Sequence, residues 1–149
     1  MTPCILVTLS NQCFSLNPLF YAGELAIRLQ AKVYVLFILT VSRKNPQIEE
    51  EKFLKEIGPA LDNYREKGVC IQSYFIKDKF LEEATKFIEE IHPDIVIVAK
   101  LQQQNPQFSA WLNTIRQNIP GSLIVVDNFH LKKEPRKMKV KRGFDSPIQ

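Results

Sequence analysis

Five short apolar runs divide the chain: Cys4 to Leu9 (CILVTL), Val33 to Val41, Val69 to Ile76, Ile95 to Ala99 and Leu123 to Asp127. Each has strand length and is rich in β-branched residues, so five strands are expected. The runs at 95–98 (IVIV) and 123–126 (LIVV) are apolar at every position. Continuous apolarity of this kind marks strands covered on both faces, as in a parallel sheet. By contrast, VCIQSYFI at 69–76 mixes in Gln72 and Ser73 and reads as an edge strand.

Four helical patterns lie between the strands. Asn17-Pro18 opens the first, with Asn17 as the expected cap and Pro18 setting φ of the first turn, and Leu19, Ala22, Leu25, Ala26 and Leu29 on one face. The second runs from about Pro46 to Lys67, with Leu54, Ile57, Leu61 and Tyr64 spaced three and four apart and Gly68 as its stop. Gly58-Pro59 interrupts it and predicts a bend, because proline removes a backbone donor. Asp78 is placed to cap the third, whose stripe is Leu81, Ala84, Ile88 and Ile91 and which ends at His92-Pro93. Asn105-Pro106 opens the fourth, with Phe108, Trp111, Leu112 and Ile115 inward, and Pro120-Gly121 turns the chain into the last strand.

Strands alternating with helices of this length predict an α/β fold: a single doubly wound domain with a five-stranded parallel sheet and helices on both faces. Ligands of such sheets bind at the carboxyl ends of the strands, where strand order reverses. Residues 1–129 form this domain, and 130–149 read as a basic, polar tail without periodicity.

Charge follows the same division. The tail carries seven basic side chains, Lys132, Lys133, Arg136, Lys137, Lys139, Lys141 and Arg142, against Glu134 and Asp145. The other 13 basic and 14 acidic groups lie in residues 1–129, so the body is nearly neutral. Any weak hold on an anionic surface or nucleic acid therefore rests on residues 132–142. No aromatic residue interleaves those charges before Phe144, which argues against sequence-specific reading. The longest apolar stretch, Val33 to Leu39, is far below the roughly 20 residues of a membrane span. With no basic region ahead of the first apolar run, a cytoplasmic protein is expected.

Three cysteines, Cys4, Cys13 and Cys70, and two distant histidines, His92 and His130, make neither a disulfide framework nor a zinc pattern. Cys4 and Cys70 are expected in the core. No poised acid–base pair and no G-x-S-x-G elbow around Ser122 is visible, so no enzyme is expected.

The segments CILVTLS, YAGELAIRLQAKVYVLFIL, DKFLEEATKFIEEIHPDIVIVA and NIPGSLIVVD together resemble the universal stress protein family across residues 4–127. Ala22, Leu25, Ala26, Ala31, Val33, Val35 and Leu36 match the family's first helix and second strand, and Asp94 and Val98 its approach to the fourth strand. The resemblance implies strand order 3-2-1-4-5 and a homodimer through the last strand, with Leu123, Ile124, Val125, Val126 and Asp127 as the interface. An apolar edge strand left unpaired would itself favour such pairing.

Family members that bind nucleotide carry an Asp after the first strand, where Ser10 stands here. They also carry G-x-x-G-x9-G-[ST] after the fourth, whose counterparts here are Ala99, Gln102 and Ser109. Glycines there let backbone N–H groups approach phosphates at a helix N-terminus. None of the three positions is glycine, so the usual ATP cradle is not expected and no cofactor is expected. Ser10, Asn11, Ala99, Lys100, Gln102 and Ser109 remain the candidate ligand positions, Gln102 to Gln104 otherwise reading as a solvated loop. The expected function is a universal stress protein-like regulatory or adaptor module, homodimeric, with an unknown protein partner. The alternatives are a nucleotide-binding (ATP or AMP) member with an altered loop, or a stand-alone regulatory domain of the kind attached to membrane transporters.

Overall fold

A computed structural model describes residues 2–10, 15–39, 46–76, 80–118 and 121–126. The elements run β1 (Cys4–Ser10), α1 (Asn17–Leu29), β2 (Lys32–Ile38), α2 (Pro46–Glu66), β3 (Ile71–Ile76), α3 (Phe80–Ile91), β4 (Ile95–Ala99), a 3-10 turn (Lys100–Gln104), α4 (Pro106–Asn118) and β5 (Ser122–Val126). All four strand pairings are parallel, in the order β3-β2-β1-β4-β5. The expected fold class and strand order both hold.

Strand periodicity sorts the core into two layers. Odd-numbered Ile5, Val7, Leu9, Val33, Val35 and Phe37 pack with Leu19, Ala22 and Ala26 of α1 and Phe53, Ile57, Leu61 and Tyr64 of α2. Even-numbered Leu6, Leu36, Val96 and Val98 pack with Ala84 and Ile88 of α3 and Phe108, Trp111, Leu112 and Ile115 of α4. Chain direction across the sheet reverses after β3, and right-handed crossovers then carry α1 and α2 to one face and α3 and α4 to the other. The reversal leaves β1 and β4 as neighbours at the centre.

At the amino ends of the strands Asp94 ties three of them together. Its backbone N–H donates to the Cys4 carbonyl at 2.8 Å, and its carboxylate accepts the Cys4 N–H at 2.8 Å. Its carbonyl accepts the Ser122 N–H at 2.9 Å. Gly121 passes so close that a β-carbon would collide with that same carbonyl. On the other side of the sheet Gly23 lets α1 meet α2: a β-carbon there would stand 2.5 Å from the Tyr64 ring. The Tyr64 hydroxyl reaches past it to donate to Glu24 at 3.1 Å and to the Phe20 carbonyl at 3.3 Å.

Several expectations are corrected. Asn17 is the first residue of α1, not its cap; Leu16 holds the cap position and makes no side-chain cap bond, while the Ser15 hydroxyl accepts the Asn17 N–H at 3.2 Å. Leu29 and Leu54 are exposed, at 43% and 39%, because each lies past the rim of its helix's packed stripe; Phe53 takes the inward position in α2. Helix α2 runs unbroken through Pro59, and Gly68 stops it with φ of 93°. Cys4 is half-buried, but Cys70 is exposed: it precedes β3 and points out between inward Val69 and Ile71. β5 is not covered on both faces. As the outermost strand it leaves Leu123, Ile124 and Val126 half-buried and Val125 38% exposed. Asn11, Cys13, Asp78, Asp127, His130, the Leu81 side chain and the tail from 130 lie outside the described residues.

Gly121→Ala is expected to lower unfolding free energy by at least about 2 kcal/mol, since backbone must move to admit a methyl. Urea unfolding followed by far-UV circular dichroism checks this; an unchanged midpoint would refute the close approach.

Candidate functional site

The switch point lies between the carboxyl ends of β1 and β4. Their ladder pairs Ile5 with Ile95, Leu6 with Val96 and Val7 with Ile97, then stops. Beyond it β1 stays with β2 as far as Ser10 and Ile38, while β4 stays with β5 as far as Ala99 and Val126. Two central strands that part in this way open a crevice, and their buried backbone groups lose their ladder partners.

In this chain the crevice is filled by Gln102. Its side-chain Oε1 accepts the Thr8 hydroxyl at 2.8 Å and the Ala99 N–H at 3.0 Å, and its Nε2 donates to the Thr8 carbonyl at 3.2 Å. The amide thus bridges β1 to β4 beyond the end of their ladder, at Thr8 one residue past Val7 and at Ala99 two residues past Ile97. The reverse orientation would set the NH2 group against the Ala99 N–H, so the network permits only one. Gln102 is 3% exposed and Thr8 is 0%. Breaking such a network strands buried polar atoms, at about 1–3 kcal/mol each.

The 3-10 turn explains how Gln102 gets there. Ala99 ends β4 in extended conformation, and Gln102 is the third residue of the turn, placed to reach back to the Ala99 N–H as the glutamine of a capping box does. The expectation of a solvated loop therefore fails at its most important residue, while Gln104 is exposed and Gln103 half-buried.

Helix α4 begins immediately after. Asn105 does cap it: its Oδ1 accepts the Gln107 N–H at 2.9 Å and the Phe108 N–H at 3.2 Å. The Ser109 N–H donates to the Asn105 carbonyl at 2.9 Å, and Pro106 has no N–H. All of the first-turn donors, which an anion would need, are committed inside the protein.

The remaining candidate positions fall around this bridge. Ser10 ends β1, 9% exposed, Ala99 is 1% exposed at the end of β4, and Lys100 is exposed directly after it. Ser109 is half-buried in the first turn of α4. The structure therefore gathers Ser10, Ala99, Lys100, Gln102 and Ser109 at one end of the sheet, with the Ala99 N–H donating to the Gln102 side chain. Thr8 was missed. Its signal was a lone hydroxyl in the otherwise apolar run CILVTL.

Phe108 and Trp111 are core residues, 4% and 1% exposed, with ring centroids 5.4 Å apart. His92 is exposed and closes α3 with φ of 48°, its N–H donating to the Ile88 carbonyl. Among the described residues no group of three His, Cys, Asp or Glu side chains could hold a metal, and no helix is long and apolar enough to cross a membrane.

No protein-family model matches the chain, and no curated protein matches it. Solved structures do. A universal stress protein in complex with cAMP superposes with a TM-score of 0.59 at 14% identity, over 85% of this chain and 98% of that one. The universal stress protein from Archaeoglobus fulgidus in complex with dAMP gives 0.56 at 12%, over 84% and 97%. A member of the family from Burkholderia pseudomallei gives 0.53 at 16%, over 83% and 94%. The chain has the fold of the universal stress proteins.

Proposed function

We propose that the chain is a universal stress protein-like regulatory module that acts through protein contacts, without catalysis and without nucleotide held in the usual way. The supporting observation is the Gln102 network: a phosphate entering the crevice would displace an amide that makes three hydrogen bonds, and the first turn of α4 has no uncommitted donor to receive it. Against a catalytic role, burial pushes the Cys4 thiol up, the Asp94 carboxylate adds to this, and Lys32 only partly opposes it. A thiol so placed stays protonated near neutral pH and is a poor nucleophile.

A second reading is nucleotide binding through a rearranged loop. The neighbours described with cAMP and dAMP favour it, as does exposed Lys100 beside the crevice.

The module is read as a homodimer through β5. Support comes from a mismatch: Leu123 to Val126 are apolar on both strand faces, yet none is fully buried in the single chain and Val125 is 38% exposed. Beside this edge runs a groove of about 410 Å³ lined by Phe20, Tyr21, Leu25 and Val126 together with the polar Asn17, Glu24 and Arg28. A second copy pairing on β5 would cover both.

Calorimetric titration with AMP and with ATP and magnesium is expected to show no saturable heat at millimolar ligand; stoichiometric binding would establish the second reading instead. Gln102→Leu should cost about 3 kcal/mol in urea unfolding, because the Thr8 carbonyl and Ala99 N–H lose their partner. A loss under about 0.5 kcal/mol would mean that the amide does not hold the strands together. By light scattering, the wild type should have twice the 17.3 kDa chain mass and Val125→Asp the single mass. A monomeric wild type removes the dimer.

A further inference from the structure

β3 is the sheet edge opposite β5. The Val33 N–H donates to the Cys70 carbonyl and the Leu39 N–H to the Ile76 carbonyl, both at 2.9 Å. Along a strand the backbone groups of successive residues alternate sides, so those of Ile71, Ser73 and Phe75 point outward, away from β2. Arg65 Nη2 donates to the Ile71 carbonyl at 3.2 Å and guards the start of that edge. The outward groups of Ser73 and Phe75 lie beyond the guard.

An aromatic shelf stands beside them on the α3 face. Ring centroids are 4.8 Å apart for Tyr74 and Phe87, 5.7 Å for Tyr34 and Phe87, and 6.2 Å for Tyr34 and Tyr74. Tyr74 is 43% exposed and Gln72 is exposed too, so the helices of this face stop short of them. The shelf already carries one cation: Lys32 Nζ stands 5.7 Å from the Tyr34 centroid. Exposed Glu83 and Glu90 lie four residues before and three after Phe87, on its stripe of α3.

Ring faces flanked by carboxylates attract cations, and an outward backbone edge selects an extended chain. We propose that the β3 edge with its Tyr34, Tyr74 and Phe87 shelf is a docking site for an extended peptide segment carrying lysine or arginine at alternate positions. In an added strand every second side chain falls on the shelf and the others fall beside Phe75 on the α2 face, where apolar residues fit. An acidic segment would meet Glu83 and Glu90 and be repelled. Residues 137–142 of this chain, Lys-Met-Lys-Val-Lys-Arg, have the required alternation.

The probe is a synthetic peptide of residues 135–143, titrated into the full ¹⁵N-labelled chain and followed by amide chemical shifts. Saturable shifts are expected at Ser73, Tyr74, Phe75 and Phe87. They should weaken about tenfold in Tyr74→Ala and in Glu83→Gln with Glu90→Gln, and weaken with added salt. A peptide with its lysines replaced by glutamate should cause none. If the chain's own segment already occupies the site, the peptide will add little, but Lys139→Glu with Lys141→Glu in the full chain will shift the same amides, which supports the same docking chemistry. Silence at β3 in both experiments, or peptide binding indifferent to Tyr74→Ala, overturns the proposal.

Discussion

One carboxamide holds together the part of the sheet that its topology pulls apart. Reversal of strand order places β1 beside β4, and each then follows its outer neighbour past Val7 and Ile97. The backbone of Thr8 and Ala99 would be left buried and unmatched at the split. Gln102 supplies both an acceptor and a donor to them, which an ionised carboxylate, an acceptor only, could not do. The extra bond from the Thr8 hydroxyl completes the network, and Thr8 and Gln102 form one unit contributed from opposite halves of the chain.

This arrangement separates fold from activity. The sheet and its two helical layers rest on an odd–even division of strand residues, and the fold is shared with solved structures at 12–16% identity. A phosphate site needs more: open backbone amides and room beside them. Here Gln102 takes the room, and Asn105 with its own carbonyl takes the α4 amides.

The two edges of the sheet are finished differently. β5 presents an apolar strand without a polar face and leaves Val125 38% exposed. β3 alternates, carries Gln72 and Ser73, and is guarded at one end by Arg65. Such a guarded, polar edge resists indiscriminate pairing, and its aromatic shelf confines recognition to side chains that match it.

Element types, their order and most inward positions were legible in the chain, because strand and helix periods are local properties of neighbouring residues. Phe108, Trp111, Leu112 and Ile115 could be assigned to the core from spacing alone, and Asn105 could be recognised as a cap from its place before Pro106. Asn17 stood in the same dipeptide and did not cap, because α1 begins one residue earlier, with Leu16 in the cap position. The continuous apolarity of Leu123 to Val126 was visible too, but whether it meant a central strand or an exposed edge depended on its place in the sheet. The missing glycines were visible in the chain, yet not the contacts that Gln102 makes in their place. Gln102 and Thr8 are 94 residues apart, and a glutamine in a run of three looks solvated until the split of β1 from β4 creates buried groups that need it. Sequence determined the layers and their faces; only the tertiary structure decided which polar side chain closes the centre, because that choice is set by unmatched backbone groups that exist only once the strands have met.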